Sequence, residues 1–274
     1  MRSLEVKRLN ADCSAVLTID GVKVLVDPWL VGSEVDGSPL FNEAWHVHPV
    51  VSIHEVNLMS VDLIVISLPF ADHLHVETLA LLDPELPIVV NQEGAAILRK
   101  KPLFATRKIL KIPSYPEFLD VKFENSRSLS FSSLAPHGVL DYTHGGMIIR
   151  SQISKRRQEH LLWAPHGIRL GQDYSHPYGE QLKSLKWVLV AVTMSTYKLP
   201  AILGGTVNLG LADGVNLVTL LRPRFVIDIH SEQKASRGLV PLVANPKYPT
   251  MEEKKSLLGE MYVPCEGLEA VKFY

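Results

Sequence analysis

The chain has 274 residues, of which 46% are apolar and 21% charged, so it can bury a large core and does not have the composition of a disordered protein. Its 28 Lys and Arg residues nearly balance 29 Asp and Glu residues, and a net charge of −1 gives no electrostatic argument for nucleic acid as a partner. The chain has two cysteines, Cys13 and Cys265, and no apolar stretch of the roughly 18–20 residues that a membrane span needs. These two features together predict a reduced, cytoplasmic protein.

The first predicted element is a β-hairpin near the N-terminus. Residues Ala15–Ile19 and Val22–Val26 are apolar runs of strand length. Asp20-Gly21 stands between them, and this pair favours a tight turn because glycine tolerates a positive φ. Pro28 follows in an Asp-Pro-Trp sequence and ends the second strand, since proline cannot donate to a sheet ladder.

Residues 30–60 show no periodicity and are predicted to form a long loop. Phe41 and Trp45 in this loop either form an apolar lid over a site or pack against the sheet. His46 and His48 alternate, and such a pair can bind a metal, but in a loop we expect them to be solvated or packed.

From residue 61 onward, strand-like and helix-like segments alternate. The predicted strands are Val61–Ile66, Ile88–Val90, Met147–Ile149, His160–Trp163, Trp187–Val192 and Phe225–Ile227, and the predicted helices are Glu77–Leu82, Gly94–Arg99 and Asn208–Leu221. Alternation of this kind predicts an α/β protein built from layers of helices and sheets.

The segment Asp72-His73-Leu74-His75 directly follows the buried strand Val61–Ile66. A carboxylate oxygen and imidazole nitrogens within four residues are the mixture of ligands that zinc accepts. The alternative is that Asp72 caps a helix that begins near His75. The sequence therefore predicts either a divalent metal site or a capped helix at this strand end.

Several motifs resemble, in order and spacing, those of the metallo-β-lactamase superfamily. They are Asp-Pro-Trp at 27–29, Asp-His at 72–73, LAPHG ending at 138, THGG at 143–146, LLWAPHG at 161–167 and LLRPRFVIDIH at 220–230. The resemblance covers nearly the whole chain, and it implies a four-layer αββα sandwich that forms one domain over residues 1–274.

The signature of this superfamily is HxHxDH, and the chain departs from it. Leu68 and Phe70 stand where the first two histidines are expected, whereas Asp72 and His73 are kept. The resemblance places His137 at the third histidine position.

The remaining positions of the superfamily's metal site also follow from the resemblance. It places His166 where a bridging Asp is expected and His230 at the last histidine position. The resemblance thus implies a single ion, either Zn²⁺ or instead Fe²⁺ or Mn²⁺, that is held by Asp72, His73, His166 and His230. His75 and His137 are then candidate acid–base or supporting groups.

Three functions follow from this partly retained motif. The leading hypothesis is a metal-dependent hydrolase of a small ester, lactone, thioester or phosphodiester substrate. The second is a metal-independent isomerase, cyclase or lyase that acts on a hydrophobic small molecule against Leu68 and Phe70. The third is a non-catalytic binding protein on the same scaffold, because a fold does not by itself determine a function.

Overall fold

The computed structural model describes residues 1, 3–124, 127–136, 141–154, 157–169, 178–265 and 267–274. The strands among these residues are β1 (Leu4–Arg8), β2 (Ala15–Ile19), β3 (Val22–Val26), β4 (Glu34–Asp36), β5 (Asn42–Trp45), β6 (Leu63–Ile66), β7 (Ile88–Val90), β8 (Ile109–Lys111), β9 (Leu119–Lys122), β10 (Ser128–Leu134), β11 (Gly146–Ser154), β12 (Arg157–Ala164), β13 (Trp187–Val192), β14 (Thr196–Lys198), β15 (Thr206–Leu209), β16 (Phe225–Asp228), β17 (Ala235–Arg237), β18 (Asn245–Lys247) and β19 (Ala270–Phe273). The α-helices are α1 (Ile53–Leu58), α2 (Val76–Leu81), α3 (Gln92–Arg99), α4 (Gly179–Ser184), α5 (Leu211–Leu221), α6 (Val240–Val243) and α7 (Met251–Leu258), and short 3₁₀ turns cover Pro102–Phe104, Ala201–Leu203 and Gly259–Met261.

Two large sheets form the middle of the molecule. In the part of the chain described above, the first has the strand order β19-β1-β2-β3-β6-β7-β8, and the second has the order β16-β13-β12-β11-β10-β9. Hairpin-linked strands of each sheet are antiparallel, whereas β3, β6, β7 and β8 in the first sheet and β12, β13 and β16 in the second run parallel. Each sheet thus has a parallel part.

The central strands are buried on both faces, which explains why they are continuous apolar runs. In β6, Leu63 and Val65 face the second sheet, where they pack in one cluster with residues such as Trp163. The alternate residues Ile64 and Ile66 face outward and pack against α1, α2 and α3. Helices α4, α5 and α7 cover the outer face of the second sheet in the same way. The order helix, sheet, sheet, helix confirms the predicted four-layer αββα sandwich.

Two small three-stranded sheets lie outside this sandwich. Their strand orders are β15-β14-β18 and β17-β5-β4. Each joins segments that are far apart in the chain; β5, for example, pairs with β17 through Trp45 and Ala235. These small sheets build walls around the site described below.

The prediction of a long loop over residues 30–60 was wrong in part. This segment contains β4, β5 and α1. The two strands have only three and four residues and carry polar side chains, so they give no apolar periodicity. The helix predicted from Asn208 begins instead at Leu211, because residues Thr206–Leu209 pair with β14 and Gly210 precedes the helix at a φ of 87°.

The other predicted strands and helices are confirmed, including the tight turn at Asp20 and Gly21, which both have positive φ. Cys13 and Cys265 are free and buried. Among the described residues, no helix combines the length and the apolar character that crossing a membrane would require.

Candidate metal centre

The predicted site residues follow the carboxyl ends of strands from both sheets. Asp72 and His73 lie beyond β6, His166 lies two residues after β12, and His230 lies two residues after β16. The carboxyl ends of parallel strands meet at one edge of a sheet, so facing sheets bring these segments together. The backbone at His230 has a φ of 57°, which turns the chain sharply after β16.

The structure brings Asp72, His73, His166 and His230 together. One potential ligand atom from each lies within 4.8 Å of every other. The Nε2 atoms of His73 and His166 are 3.1 Å apart, His73 Nε2 is 3.5 Å from Asp72 Oδ1, and His230 Nε2 is 3.4 Å from Asp72 Oδ2. Ligands at about 2.0–2.1 Å from a tetrahedral zinc ion stand roughly 3.3 Å from each other, so this donor set fits one such ion.

Each imidazole turns its other nitrogen toward an oxygen of a buried polar residue. His73 Nδ1 is 3.2 Å from Asp27 Oδ2, and His166 Nδ1 is 2.7 Å from Asn208 Oδ1. His230 Nδ1 is 2.8 Å from Asp12 Oδ1. Contacts of this kind hold the ring of a metal-binding histidine and fix which nitrogen faces the ion.

Sequence reasoning did not assign roles to these three partners. Asp27 belongs to the Asp-Pro-Trp motif, which already marked its segment, whereas Asn208 stood only as the start of a predicted helix. Asp12 lies between β1 and β2 with no motif around it, so no signal in the sequence could have identified it.

Charge dominates the interior of this site. Burial alone would lower the pKa of His73, but the carboxylates of Asp72 and Asp27 outweigh it and raise the pKa to about 9. Burial, together with the neighbouring His230 and His73, holds the pKa of His166 well below its usual value. Without a metal, the site is therefore a compact set of acids and bases. A bound metal ion can supply the positive charge in their place.

Lys234 completes this charge balance. Its Nζ atom is 3.0 Å from Asp12 Oδ2 and 3.7 Å from Asp72 Oδ2, and it lies 5.0 Å from the centre of the Trp29 ring. Although burial opposes it, the carboxylates of Asp12, Asp72 and Glu34 raise the pKa of Lys234, so its ammonium group stays charged.

His75 lies next to the site in sequence but contacts other groups. Its Nδ1 accepts a hydrogen bond from the backbone N–H of Thr78 (3.2 Å), and this caps α2. Its Nε2 is 3.2 Å from the backbone oxygen of Ser33. The cap of α2 is thus His75, whereas the alternative expected from sequence was Asp72. The acid–base role for His75 stays a prediction, and His137 lies outside the described residues.

His46 takes a packed position, as expected for a residue of this segment. Its Nδ1 is 2.5 Å from Glu232 Oε2, and its ring lies 4.0 Å from that of Trp29. It does not belong to the metal-ligand groups found among the described residues.

A cavity of about 320 Å³ opens above the candidate metal centre. Asp72, His166 and His230 line its floor. Phe70, at a position where the superfamily has a histidine, lies edge-on to His166 with ring centroids 5.7 Å apart. The remaining walls combine polar residues with an aromatic and apolar part, which is formed by Phe41, Tyr142, Tyr197, Leu199, Leu203, Val207, Val240 and Tyr248. Phe41 therefore lines the cavity, and an apolar lid over a site was one of the two roles expected for it.

Solved structures share this fold over nearly the full length of the chain. An isothiocyanate hydrolase from Delia radicum gut bacteria is 17% identical with a TM-score of 0.67, over 98% of this chain and 99% of that one. A possible metal-dependent hydrolase from Veillonella parvula is 14% identical with a TM-score of 0.66, over 99% of each chain. A metallo hydrolase from the archaeon Ignicoccus hospitalis is 14% identical with a TM-score of 0.63, again over 99% of each chain.

No protein-family model matches the chain, and no curated protein matches its sequence significantly. Its structural neighbours also include a metallo-β-lactamase-fold protein from Bacillus subtilis, at 10% identity, a TM-score of 0.52 and coverage of 98% of this chain and 99% of that one. Together with the αββα layers and the convergence of strand ends on one donor set, these similarities establish that the chain has the metallo-β-lactamase fold.

Proposed function

We propose that this protein is a metal-dependent hydrolase of a small molecule with an ester, lactone, thioester or phosphodiester bond, and that it works with one metal ion. The observation that carries the proposal is the donor set of Asp72, His73, His166 and His230, whose ligand atoms lie within 4.8 Å of one another. Three of these residues, Asp72, His166 and His230, line the floor of a cavity. Structural neighbours described as hydrolases with a metal support the same class of reaction.

The donor set favours zinc, with iron or manganese as alternatives. Three imidazoles and one carboxylate suit Zn²⁺, Fe²⁺ and Mn²⁺ better than Mg²⁺ or Ca²⁺, which prefer oxygen ligands. A divalent ion held there would supply Lewis-acid chemistry, since it polarises a carbonyl or phosphoryl oxygen and lowers the pKa of water.

The chain's own residues prepare this site for hydrolysis. Asp27, Asn208 and Asp12 hold the three rings in place, so little reorganisation is needed when a substrate binds. Lys234 lines the cavity with a charged ammonium group, which can attract a substrate oxygen on which negative charge develops. The aromatic walls exclude water from a substrate in the cavity.

Leu68 and Phe70 limit the metal content to one ion. Leu68 is buried, and the ring of Phe70 lies edge-on to the ring of His166. Neither side chain can bind a metal. We therefore expect one equivalent of metal per chain rather than two.

The first test is the metal content of the purified protein after expression with zinc, iron and manganese supplied. We expect close to one equivalent of one of these metals, and its loss in His166→Ala. His54→Ala is the matched control, because His54 is exposed on α1 and far from the donor set. Trace metal in the wild-type protein would refute the proposal.

The second test is hydrolysis of a panel of activated esters, thioesters, lactones and phosphodiesters. Activity should disappear with a strong chelator and return when the metal is restored. Activity that survives the chelator but is lost in His73→Ala would favour the metal-independent enzyme instead.

A further inference from the structure

Two carboxyl groups stand on one wall of the cavity and take no part in the donor set. Glu34 and Asp36 alternate on β4, so both side chains point to the same face of the strand. Asn42 on the neighbouring strand donates from Nδ2 to Glu34 Oε1 at 3.3 Å and to Asp36 Oδ2 at 2.9 Å. One amide group thus serves both acids, and both residues line the cavity.

Glu34 lacks the partner that a buried acid needs. The residue is only 5% exposed, and its Oε2 atom has no hydrogen-bond partner among the residues that the structure describes. Burial, followed by the charges of Asp72 and Asp36, raises the pKa of Glu34 to about 9. At neutral pH the ligand-free protein therefore holds Glu34 in its protonated form, and a cation bound beside it favours the carboxylate. A buried polar atom that is left unpaired costs free energy, so such a group in a ligand cavity points to a partner that arrives with the ligand.

The protein's own nearby cation is already engaged. Lys234 lines the same cavity, but its Nζ atom lies 3.0 Å from Asp12 and 3.7 Å from Asp72. It therefore forms its ion pairs with the acids beside the metal centre, and although its charge also lowers the pKa of Glu34 and of Asp36, it does not offset their burial.

Aromatic rings stand beside the two acids. Tyr197 and Tyr248 line the cavity, and burial, the Tyr248 hydroxyl and the carboxylates of Glu34 and Asp36 together raise the pKa of Tyr197. Tyr197 therefore lines the same cavity as the two acids and lies within reach of their charge. Carboxylates next to aromatic faces form the environment in which proteins bind ammonium groups.

We propose that Glu34 and Asp36 bind a protonated amine of the substrate against Tyr197 and Tyr248, at the wall of the cavity formed by β4. The unpaired Oε2 favours an ammonium that carries N–H groups over a quaternary one, since it needs a hydrogen-bond donor. The volume of about 320 Å³ restricts the ligand to a small molecule. This amine site rests on the proposed function in one respect: the function places the bond to be cleaved at the end of the cavity next to the metal centre.

The test compares two probes of equal length, hexylammonium and hexan-1-ol, in titrations of the metal-loaded protein and of the metal-free protein followed by ligand-observed NMR. We expect hexylammonium to bind roughly tenfold or more tightly than hexan-1-ol, because charge-assisted hydrogen bonds are the stronger kind. In Glu34→Gln/Asp36→Asn, the difference should vanish while the affinity for hexan-1-ol stays the same. Unchanged binding of hexan-1-ol also shows that the cavity of the double variant is still folded.

Glu252→Gln/Glu269→Gln is the matched control, because it removes the same charge from two exposed acids that do not line the cavity. Equal affinity of the wild-type protein for the two probes would overturn the proposal, and so would a preference for hexylammonium that persists in Glu34→Gln/Asp36→Asn. A second equivalent of metal that is lost in this double variant would also overturn it, since the acids would then be metal ligands. A wild-type protein that prefers hexylammonium but contains no metal would refute the proposed hydrolase and leave this amine site standing.

Discussion

Asp27 offers the sharpest test of how the metal centre is supported. Its Oδ1 accepts the backbone N–H of Ser67 at 2.7 Å, and its Oδ2 accepts the Ser67 hydroxyl at 2.5 Å and the indole N–H of Trp163 at 3.1 Å. The same Oδ2 atom lies 3.2 Å from His73 Nδ1. One buried carboxylate thus connects β3, the loop after β6, β12 of the second sheet and a candidate metal ligand.

Asp27→Asn replaces one of these acceptor oxygens with an NH₂ group of the same size. The buried indole N–H of Trp163 then loses its acceptor, which costs about 1–3 kcal/mol. The loss of the negative charge beside His73 adds a similar amount, so we expect the free energy of unfolding to fall by about 2–5 kcal/mol in the metal-free protein. The backbone adds no strain, because asparagine tolerates the φ of 44° at this position as well as aspartate does.

Urea unfolding followed by circular dichroism measures this change. Asp62→Asn is the matched control, since the carboxylate of Asp62 also accepts a backbone N–H, from Lys23 at 2.7 Å, but is exposed. We expect less than about 1 kcal/mol for this control. Equal destabilisation by the two substitutions would refute the reasoning. Metal affinity should also fall roughly 10–100-fold in Asp27→Asn alone.

Three further predictions concern single side chains of the site. In Asn208→Ala, the ring of His166 loses the oxygen that orients it, so metal affinity measured by competition with a chelator should fall roughly 10–100-fold while the fold is kept; unchanged affinity would contradict this. In His75→Ala, the loss of the helix cap should lower the free energy of unfolding by about 0.5–2 kcal/mol with the metal content unchanged, whereas a loss of kcat without a loss of stability would favour the acid–base role. In the metal-free protein, the raised pKa of His73 means that protonation of this residue stabilises the folded state. This contribution to stability is complete below about pH 6.5 and is lost as the pH rises through about 9. A thermal melting temperature that is constant over that interval would exclude the effect.

The sandwich could be predicted because its main strands are recognisable from the local sequence alone. Leu63–Ile66 and Trp187–Val192 are buried on both faces and are therefore unbroken apolar runs. Strands β4 and β5 were missed for the opposite reason, since Glu34 and Asn42 are polar groups that are buried beside a cavity. Local hydrophobic patterns cannot reveal a polar residue whose partner comes from elsewhere in the chain.

The donor set likewise divides into residues that the local sequence reveals and residues that it does not. Asp72 and His73 are neighbours in sequence, so their chemistry could be read directly, whereas His166 and His230 entered only through a resemblance. The partners of these histidines depend on tertiary packing; Asp12 reaches His230 only because β2 begins on the side of the molecule where β16 ends. Whether these residues bind metal is still a prediction.

The two small sheets separate chemistry from recognition in this molecule. The candidate metal ligands follow strands of the two large sheets, which many buried contacts hold in place, whereas much of the cavity wall rests on β4, β5, β14 and β15 at the periphery. Substitutions in these peripheral strands, except at Asn208, which orients His166, can reshape the cavity with little disturbance to the core. A library restricted to them would therefore be a practical starting point for changing which small molecules the protein accepts while keeping its stability.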